Sequence, residues 1–250
     1  MSDITQDFFR EIGISKGMTV LDVGCGRGVT TEMLAEIVGS EGKVVGLDSN
    51  PRALNAALMQ AKAKNLHHIE YLASDLMDVK LGDRKFDAIV GRRVLKYVSN
   101  PRQAIEQLAN HLKPNGIMGF QEHDSTSVID KENMPLHHEV NSWFWKLVES
   151  NGGNPTIGKE IWSIFNHDSI SVRNIKPEAI VQTPENEVSL IPLLQNLSGL
   201  LVAKGIVTEN ELNAELIEKL ESEKKQSNSI FIRELIFFVD AQKHGASRLA

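Results

Sequence analysis

The sequence predicts an α/β fold: a doubly wound, mostly parallel seven-stranded sheet with helices on both faces. Three observations predict it. Short apolar runs alternate with helix-forming stretches through the first half of the chain, and such alternation feeds a parallel sheet. The first run, Thr19 to Val23, opens directly into Gly24, Gly26 and Gly28. Near the far end, Ile230 to Val239 is almost continuously apolar, which suits a buried strand.

Asp7 to Ile12 reads as a short helix leading into the first strand, Thr19 to Val23. After the glycines, Thr30 to Val38 is helix-forming, and Lys43 to Asp48 is the second strand. Ser49-Asn50-Pro51 reads as a cap followed by a proline in the first helical turn, and Arg52 to Lys64 continues the helix. His68 to Leu72 is the third strand, with Asp75 at its end, and Lys80 to Lys85 is a solvated loop. Asp87 to Gly91 is the fourth strand, Pro101 to His111 a helix, and Gly116 to Gln121 the fifth strand.

Beyond Asp124 the pattern changes. Leu136 to Glu149 carries apolar residues at helical spacing and stops at Asn151-Gly152-Gly153-Asn154-Pro155. A short helix, Gly158 to Phe165, and an extended stretch, Ser171 to Thr183, follow. Leu190 to Ala203 is a strongly apolar helix, and Thr208 to Glu211 reads as a capping box opening a charged helix to Lys225. The chain is read as a single domain over 1–250, with helical additions at 125–170 and 185–225. It contains no internal repeat.

The glycine loop and Asp48, which closes the second strand, point to a nucleoside cofactor. Glycine lets a ligand lie against the main chain, and the following helix start offers N–H groups and a positive dipole end. A carboxylate at Asp48 can take both ribose hydroxyls. The dinucleotide fingerprint G-x-G-x-x-G would need glycine at Val29, and no phosphate-cradling G-x-x-x-x-G-K-[ST] is present.

The series Asp22 to Gly28, Asp-x-Gly-x-Gly-x-Gly, resembles motif I of the class I S-adenosylmethionine-dependent methyltransferases. The resemblance runs in order over residues 10–124. It includes Asp48, the Ala73-Ser74-Asp75-Leu76 turn, Phe86 to Gly91, and Leu112-Lys113-Pro114-Asn115-Gly116. Asn115 stands where that signature has glycine, and Asn also tolerates left-handed angles. The resemblance implies S-adenosylmethionine as cofactor, held by Asp22, Gly24, Cys25, Gly26, Gly28, Asp48, Ser49, Asp75, Leu76, Gly91 and Arg92. It also implies an antiparallel last strand and a substrate site covered by the helical additions. Asp48 would bind the ribose, Asp75 the adenine amino group, and the N–H of Leu76 the ring. Arg92 or Arg93 would meet the methionine carboxylate, or pair structurally with an acid such as Asp22.

The implied reaction is methyl transfer to a small-molecule acceptor, with oxygen as first choice and nitrogen or carbon as alternatives. An NAD-dependent oxidoreductase and a catalytically inactive S-adenosylmethionine-binding protein are the other readings. Methyl transfer is a displacement that depends on alignment, and an oxygen or nitrogen acceptor must also lose a proton. Gln121-Glu122-His123-Asp124 follows the fifth strand, and His123 is the candidate general base. His137 and His138 are further candidates, but neighbours on a helix diverge by roughly 100° and cannot easily share a metal. No metal site is expected. Trp143, Phe144, Trp145 and Trp162 read as core packing, with one of them available to line an apolar pocket.

The net charge of −6 offers no basic excess for a phosphate backbone, so nucleic acid is not an expected partner. No run of apolar residues is long enough to cross a membrane. The single cysteine, Cys25, excludes an intramolecular disulfide and fits a reducing compartment. The amino terminus has no charged-then-apolar signal pattern, so a cytoplasmic protein is expected, with a homodimer open.

Overall fold

The computed structural model describes residues 4–124, 126, 131–185, 190–228 and 230–245. Positions 125, 127–130 and 186–189 of the expected helical additions lie outside them. The first half runs α1 (Ile4–Glu11), β1 (Thr19–Val23), α2 (Val29–Val38), β2 (Lys43–Asp48), α3 (Pro51–Ala63), β3 (Ile69–Ala73), β4 (Phe86–Arg92), α4 (Pro101–Ala109) and β5 (Leu112–Asp124). Then come α5 (Pro135–Ser150), α6 (Ile161–Phe165), β6 (Ile170–Gln182), α7 (Ile191–Ala203), α8 (Ala214–Ser227) and β7 (Phe231–Lys243). Two single 3₁₀ turns lie at Leu95–Tyr97 and Ile157–Glu160.

The strands form one seven-stranded sheet in the order β3-β2-β1-β4-β5-β7-β6. The pairs from β3 through β5 are parallel, and one end of the sheet is antiparallel. The chain winds outward from β1 in one direction and from β4 in the other. The reversal between β1 and β4 is the switch point at which open α/β sheets take ligands. Register brings the strands to a common edge: Val23 pairs with Leu47 and with Gly91, and Gly91 pairs with Phe120.

Local sequence explains most starts. Asn50 accepts from the N–H groups of Arg52 and Ala53, with Pro51 in the first turn of α3. Asn100 accepts from Gln103 N–H ahead of Pro101. Helix α8 departs from expectation. Thr208 and Glu211 do form a side-chain box, with Oε2 of Glu211 accepting from both N and Oγ1 of Thr208 at 2.7 Å. The Thr208 hydroxyl is thereby used as a donor rather than as the cap acceptor. The helix begins instead after Asn213, whose side chain accepts from Leu216 N–H at 2.9 Å.

Strand β5 is longer than the sequence suggested at both ends. Leu112 pairs with Phe86 and Ile117 with Ala88, so Lys113 to Gly116 bulge out of the ladder. Asn115 takes φ 62 in that bulge, the left-handed conformation expected of it. Lys113 Nζ turns back onto Asp87 at 2.8 Å.

The chain groups into two compact units. The first comprises Met1–Glu122, Glu160–Lys176 and Phe237–Ala250, and the second His123–Lys159 and Pro177–Ile236. In the first unit, Leu21, Leu47, Ile89 and Phe120 are fully buried on the strands, and Leu34, Ile105 and Leu108 on the helices. The second has its own apolar cluster, built from Trp143, Phe144 and Leu147 of α5, Leu194 and Leu201 of α7, and Leu220 of α8.

Candidate functional site

At the carboxyl ends of β1 to β4 the first unit encloses a cavity of about 430 Å³. Gly24 lines it from β1, Leu47, Asp48 and Ser49 from β2, and Ser74 to Met77 from beyond β3. The segment after β4 supplies Arg93, Val94, Tyr97, Val98 and Ser99. The volume falls within the roughly 300–1,000 Å³ of small-molecule sites.

Close packing around the loop explains two of the glycines. Gly24 has φ 67, and a Cβ there would collide with Val94. Gly28 has φ 85 and is the N-cap of α2. A Cβ on it would lie 2.6 Å from the hydroxyl of Tyr71 and 3.0 Å from Ala57. Tyr71, on β3, therefore packs beneath the loop and needs both close approach and a left-handed backbone from its neighbour.

Asp48 is fixed at the end of β2. Its Oδ2 accepts from Gly26 N–H and its Oδ1 from Asn50 N–H, both at 2.8 Å. An ionised carboxylate offers about four acceptor sites, so two remain after these bonds. Asp75 accepts from Met77 N–H through Oδ1 at 2.7 Å, and its neighbour Leu76 is buried in the lining.

Asp22 is buried under the loop. Thr31 Oγ1 donates to its Oδ2 at 2.6 Å, while Oδ1 has no hydrogen-bond partner. Burial pushes its carboxyl up to about 7, against the pull of the Thr31 bond. The charge of Arg92 draws the carboxyl back down, and Arg92 Nε is itself buried without a hydrogen-bond partner. Cys25 is buried too, its sulfur facing Gly46 of β2, and burial raises its thiol. Thus Gly24, Asp48, Ser49, Asp75 and Leu76 are brought together in the cavity lining. Asp22, Cys25, Gly26, Gly28, Gly91 and Arg92 are not part of that lining.

The tail of β5 carries three acidic or basic side chains with different partners. Glu122 belongs to the first unit and is fully buried. Its Oε1 accepts from the N–H groups of Val94 and Leu95, both at 2.8 Å, and Oε2 has no partner. Burial pushes this carboxyl up to about 7, opposed by the two backbone bonds. His123 and Asp124 belong to the second unit. His123 Nδ1 is 2.6 Å from Glu234 Oε2 of β7, and Asp124 meets Lys159 at 2.8 Å.

The other sequence candidates divide similarly. His137 is buried, its Nδ1 2.6 Å from Glu223 Oε2, and that carboxylate also accepts from the Leu136 and His137 N–H groups. His138 meets the edge of Trp145. Trp143 and Phe144 are core residues, as expected, and Trp162 is 57% exposed. None of the four aromatic side chains lines the cavity. Among the described residues no three His, Cys, Asp or Glu side chains converge as a metal site, and no helix is long and apolar enough to cross a membrane. Sequence reasoning missed Tyr71, the cavity wall at Val94 to Ser99, and the partners Glu223 and Glu234. The wall had one usable signal, its place directly after a strand of the sheet's carboxyl edge.

Known proteins agree with this geometry. Residues 14–243 match the methyltransferase domain family. A sterol 24-C-methyltransferase of Aspergillus fumigatus is 30% identical over 131 residues, covering 52% of this chain and 34% of that protein. A demethylmenaquinone methyltransferase of Geobacillus stearothermophilus is 33% identical over 112 residues, covering 45% and 48%. The chain therefore spans about a third to a half of the length of these relatives. Among solved structures, YcgJ of Bacillus subtilis superposes with a TM-score of 0.64 at 14% identity, over 97% of this chain and 99% of that one. A SAM-dependent methyltransferase of Aquifex aeolicus gives 0.55 at 23% identity, over 69% and 82%. These likenesses carry the fold and set aside the NAD-dependent oxidoreductase alternative. With residues 14–243 matched, the chain belongs to the methyltransferase domain family.

Proposed function

We propose that the chain is an S-adenosylmethionine-dependent methyltransferase acting on a small-molecule acceptor, most directly at an oxygen. The observation that carries this reading is Asp48: a carboxylate held by two backbone N–H groups at the rim of a nucleoside-sized cavity, with acceptor capacity left for two hydroxyls. The residues fit the cofactor. Asp48 would hold the ribose, and Asp75 with the Leu76 N–H the adenine. Gly24 leaves room for the chain that joins ribose to methionine. Asp22 Oδ1 and Arg92 Nε, both without a hydrogen-bond partner, are an acceptor and a donor of the kinds that suit an amino group and a carboxylate. When bound, the cofactor supplies a methyl group already activated on a sulfonium.

What remains for the protein is alignment and a proton. Alignment alone can supply on the order of 7–11 kcal/mol of barrier reduction. His123 is the proton acceptor in this reading. Glu234 beside Nδ1 favours the Nδ1–H tautomer, which makes Nε2 the basic nitrogen. A base of this kind contributes roughly 100- to 10,000-fold. This pair is of use where a proton must leave, as it must from an oxygen or nitrogen acceptor, and oxygen is our first choice of the two. The relatives divide on the point, one being named a 24-C-methyltransferase and another a ubiquinone biosynthesis O-methyltransferase. The same reading makes the protein cytoplasmic, with a homodimer open and no nucleic-acid partner.

The test is turnover of S-adenosylmethionine to S-adenosylhomocysteine with a panel of phenols, reduced quinones and amines. Oxygen methylation with a rate that falls about 100-fold in His123→Ala, at unchanged S-adenosylhomocysteine affinity, is expected. Turnover with amines alone would move the acceptor to nitrogen. Binding without turnover of any acceptor would make the chain a non-catalytic S-adenosylmethionine-binding protein.

A further inference from the structure

We propose that Glu122 is a positioning residue of the cofactor pocket: its carboxylate clamps the backbone of Val94 and Leu95 and so fixes the wall that starts there. The inference rests on the cofactor reading above and extends it to a side chain outside the cavity lining. Strand β4 ends at Arg92, and the chain turns sharply at Arg93, which takes φ 57. Such a turn in a residue with a Cβ must be held by its surroundings. Three successive N–H groups do this. Arg93 N–H donates to Gln121 O at 2.8 Å, and those of Val94 and Leu95 donate to Glu122 Oε1.

The position of Val94 is what the pocket depends on. Its side chain packs where Gly24 and Gly91 lack a Cβ, and it lines the cavity with Tyr97, Val98 and Ser99 just beyond. A shift of this backbone would press Val94 onto the glycine loop or open the wall. A neutral side chain would pack at this buried position without the cost of a desolvated charge. The carboxylate instead gives two charge-assisted bonds, which are about twice as strong as neutral ones. Arg93 and Lys96, on the segment being held, favour the anion.

Glu122→Gln keeps the size and one acceptor oxygen but removes the charge. At pH 8, hydrogen exchange is first measured on ligand-free protein, and S-adenosylhomocysteine binding is then measured by calorimetry. In the variant, residues 93–99 should exchange about tenfold faster while the rest of the sheet stays protected, and S-adenosylhomocysteine should bind about 3- to 10-fold more weakly. The melting temperature at pH 8 should not fall, because a buried charge has been removed. Unchanged exchange in 93–99 with unchanged affinity overturns the proposal. So does faster exchange throughout the sheet with a lower melting temperature, which would make Glu122 a packing residue only. If the wild type itself fails to bind S-adenosylhomocysteine, the cofactor reading falls, while faster exchange confined to 93–99 still identifies the clamp.

Discussion

Asp48 does two jobs with one carboxylate. It ties the glycine loop to β2 through Gly26 and bonds the backbone of Asn50, the N-cap of α3, and it lines the cavity. Asp48→Ala should therefore weaken S-adenosylhomocysteine binding by about 100-fold or more, since charge-assisted bonds are worth roughly 1.5–3 kcal/mol each. Calorimetry reads this directly, and affinity within a factor of three of wild type would put the ribose elsewhere. Asp48 was legible in the sequence because a strand-end acid after a glycine loop is a local pattern. Tyr71 was not. It sits 43 residues beyond Gly28, and only the β2–β3 pairing brings its ring beneath that glycine. Glu122 was visible as a residue but not as a clamp, because its partners lie 28 and 27 positions away.

Elements with a strong local signal came out at their expected places, and α8 shows why one did not. Thr208 and Glu211 satisfied the pattern of a capping box, but their side chains bond each other and Thr208 N–H without a helix behind them. Asn213 carries the cap. Asn213→Ala should cost about 1 kcal/mol, read as a lower denaturation midpoint, and Thr208→Ala should cost clearly less. Equal losses would mean that the box still governs the start of the helix. The second half of β5 was hidden for a different reason. Its last residues are polar, and Gln121, Glu122, His123 and Asp124 are buried only because each has found a partner in the fold. Hydropathy alone ends the strand too early.

At the scale of the molecule, Asp22 and Glu122 are two buried acids whose folded forms hold their protons to about pH 7, against ordinary values of 3.8 and 4.5. Burial is the main cause in both. Between about pH 4 and pH 7 the unfolded chain gives up these protons while the folded chain keeps them. Stability from this source is complete below pH 4 and is lost as the pH rises through 7. Asp22→Asn can still accept from Thr31 and carries no charge. Its melting temperature should match wild type near pH 4.5 and exceed it at pH 8. A constant difference across that range would show that Asp22 does not titrate there. The alternation that predicts a doubly wound sheet was readable along the chain. The grouping into two units was not, because it depends on which distant segments share a core, as α5, α7 and α8 do.

The chain has two tyrosines, and both belong to the first unit. Tyr71 lies under the glycine loop, and Tyr97 stands 59% exposed in the cavity wall. The pair are natural spectroscopic reporters, one in the cavity wall and one against the glycine loop. Fluorotyrosine incorporation would give two resonances, assignable by replacing either residue with phenylalanine. A ligand seated in the cavity should move the Tyr97 signal strongly and the Tyr71 signal little, while a disturbance of the glycine loop should do the reverse. Occupancy and loop integrity could then be followed separately in one sample, with no probe added to the surface.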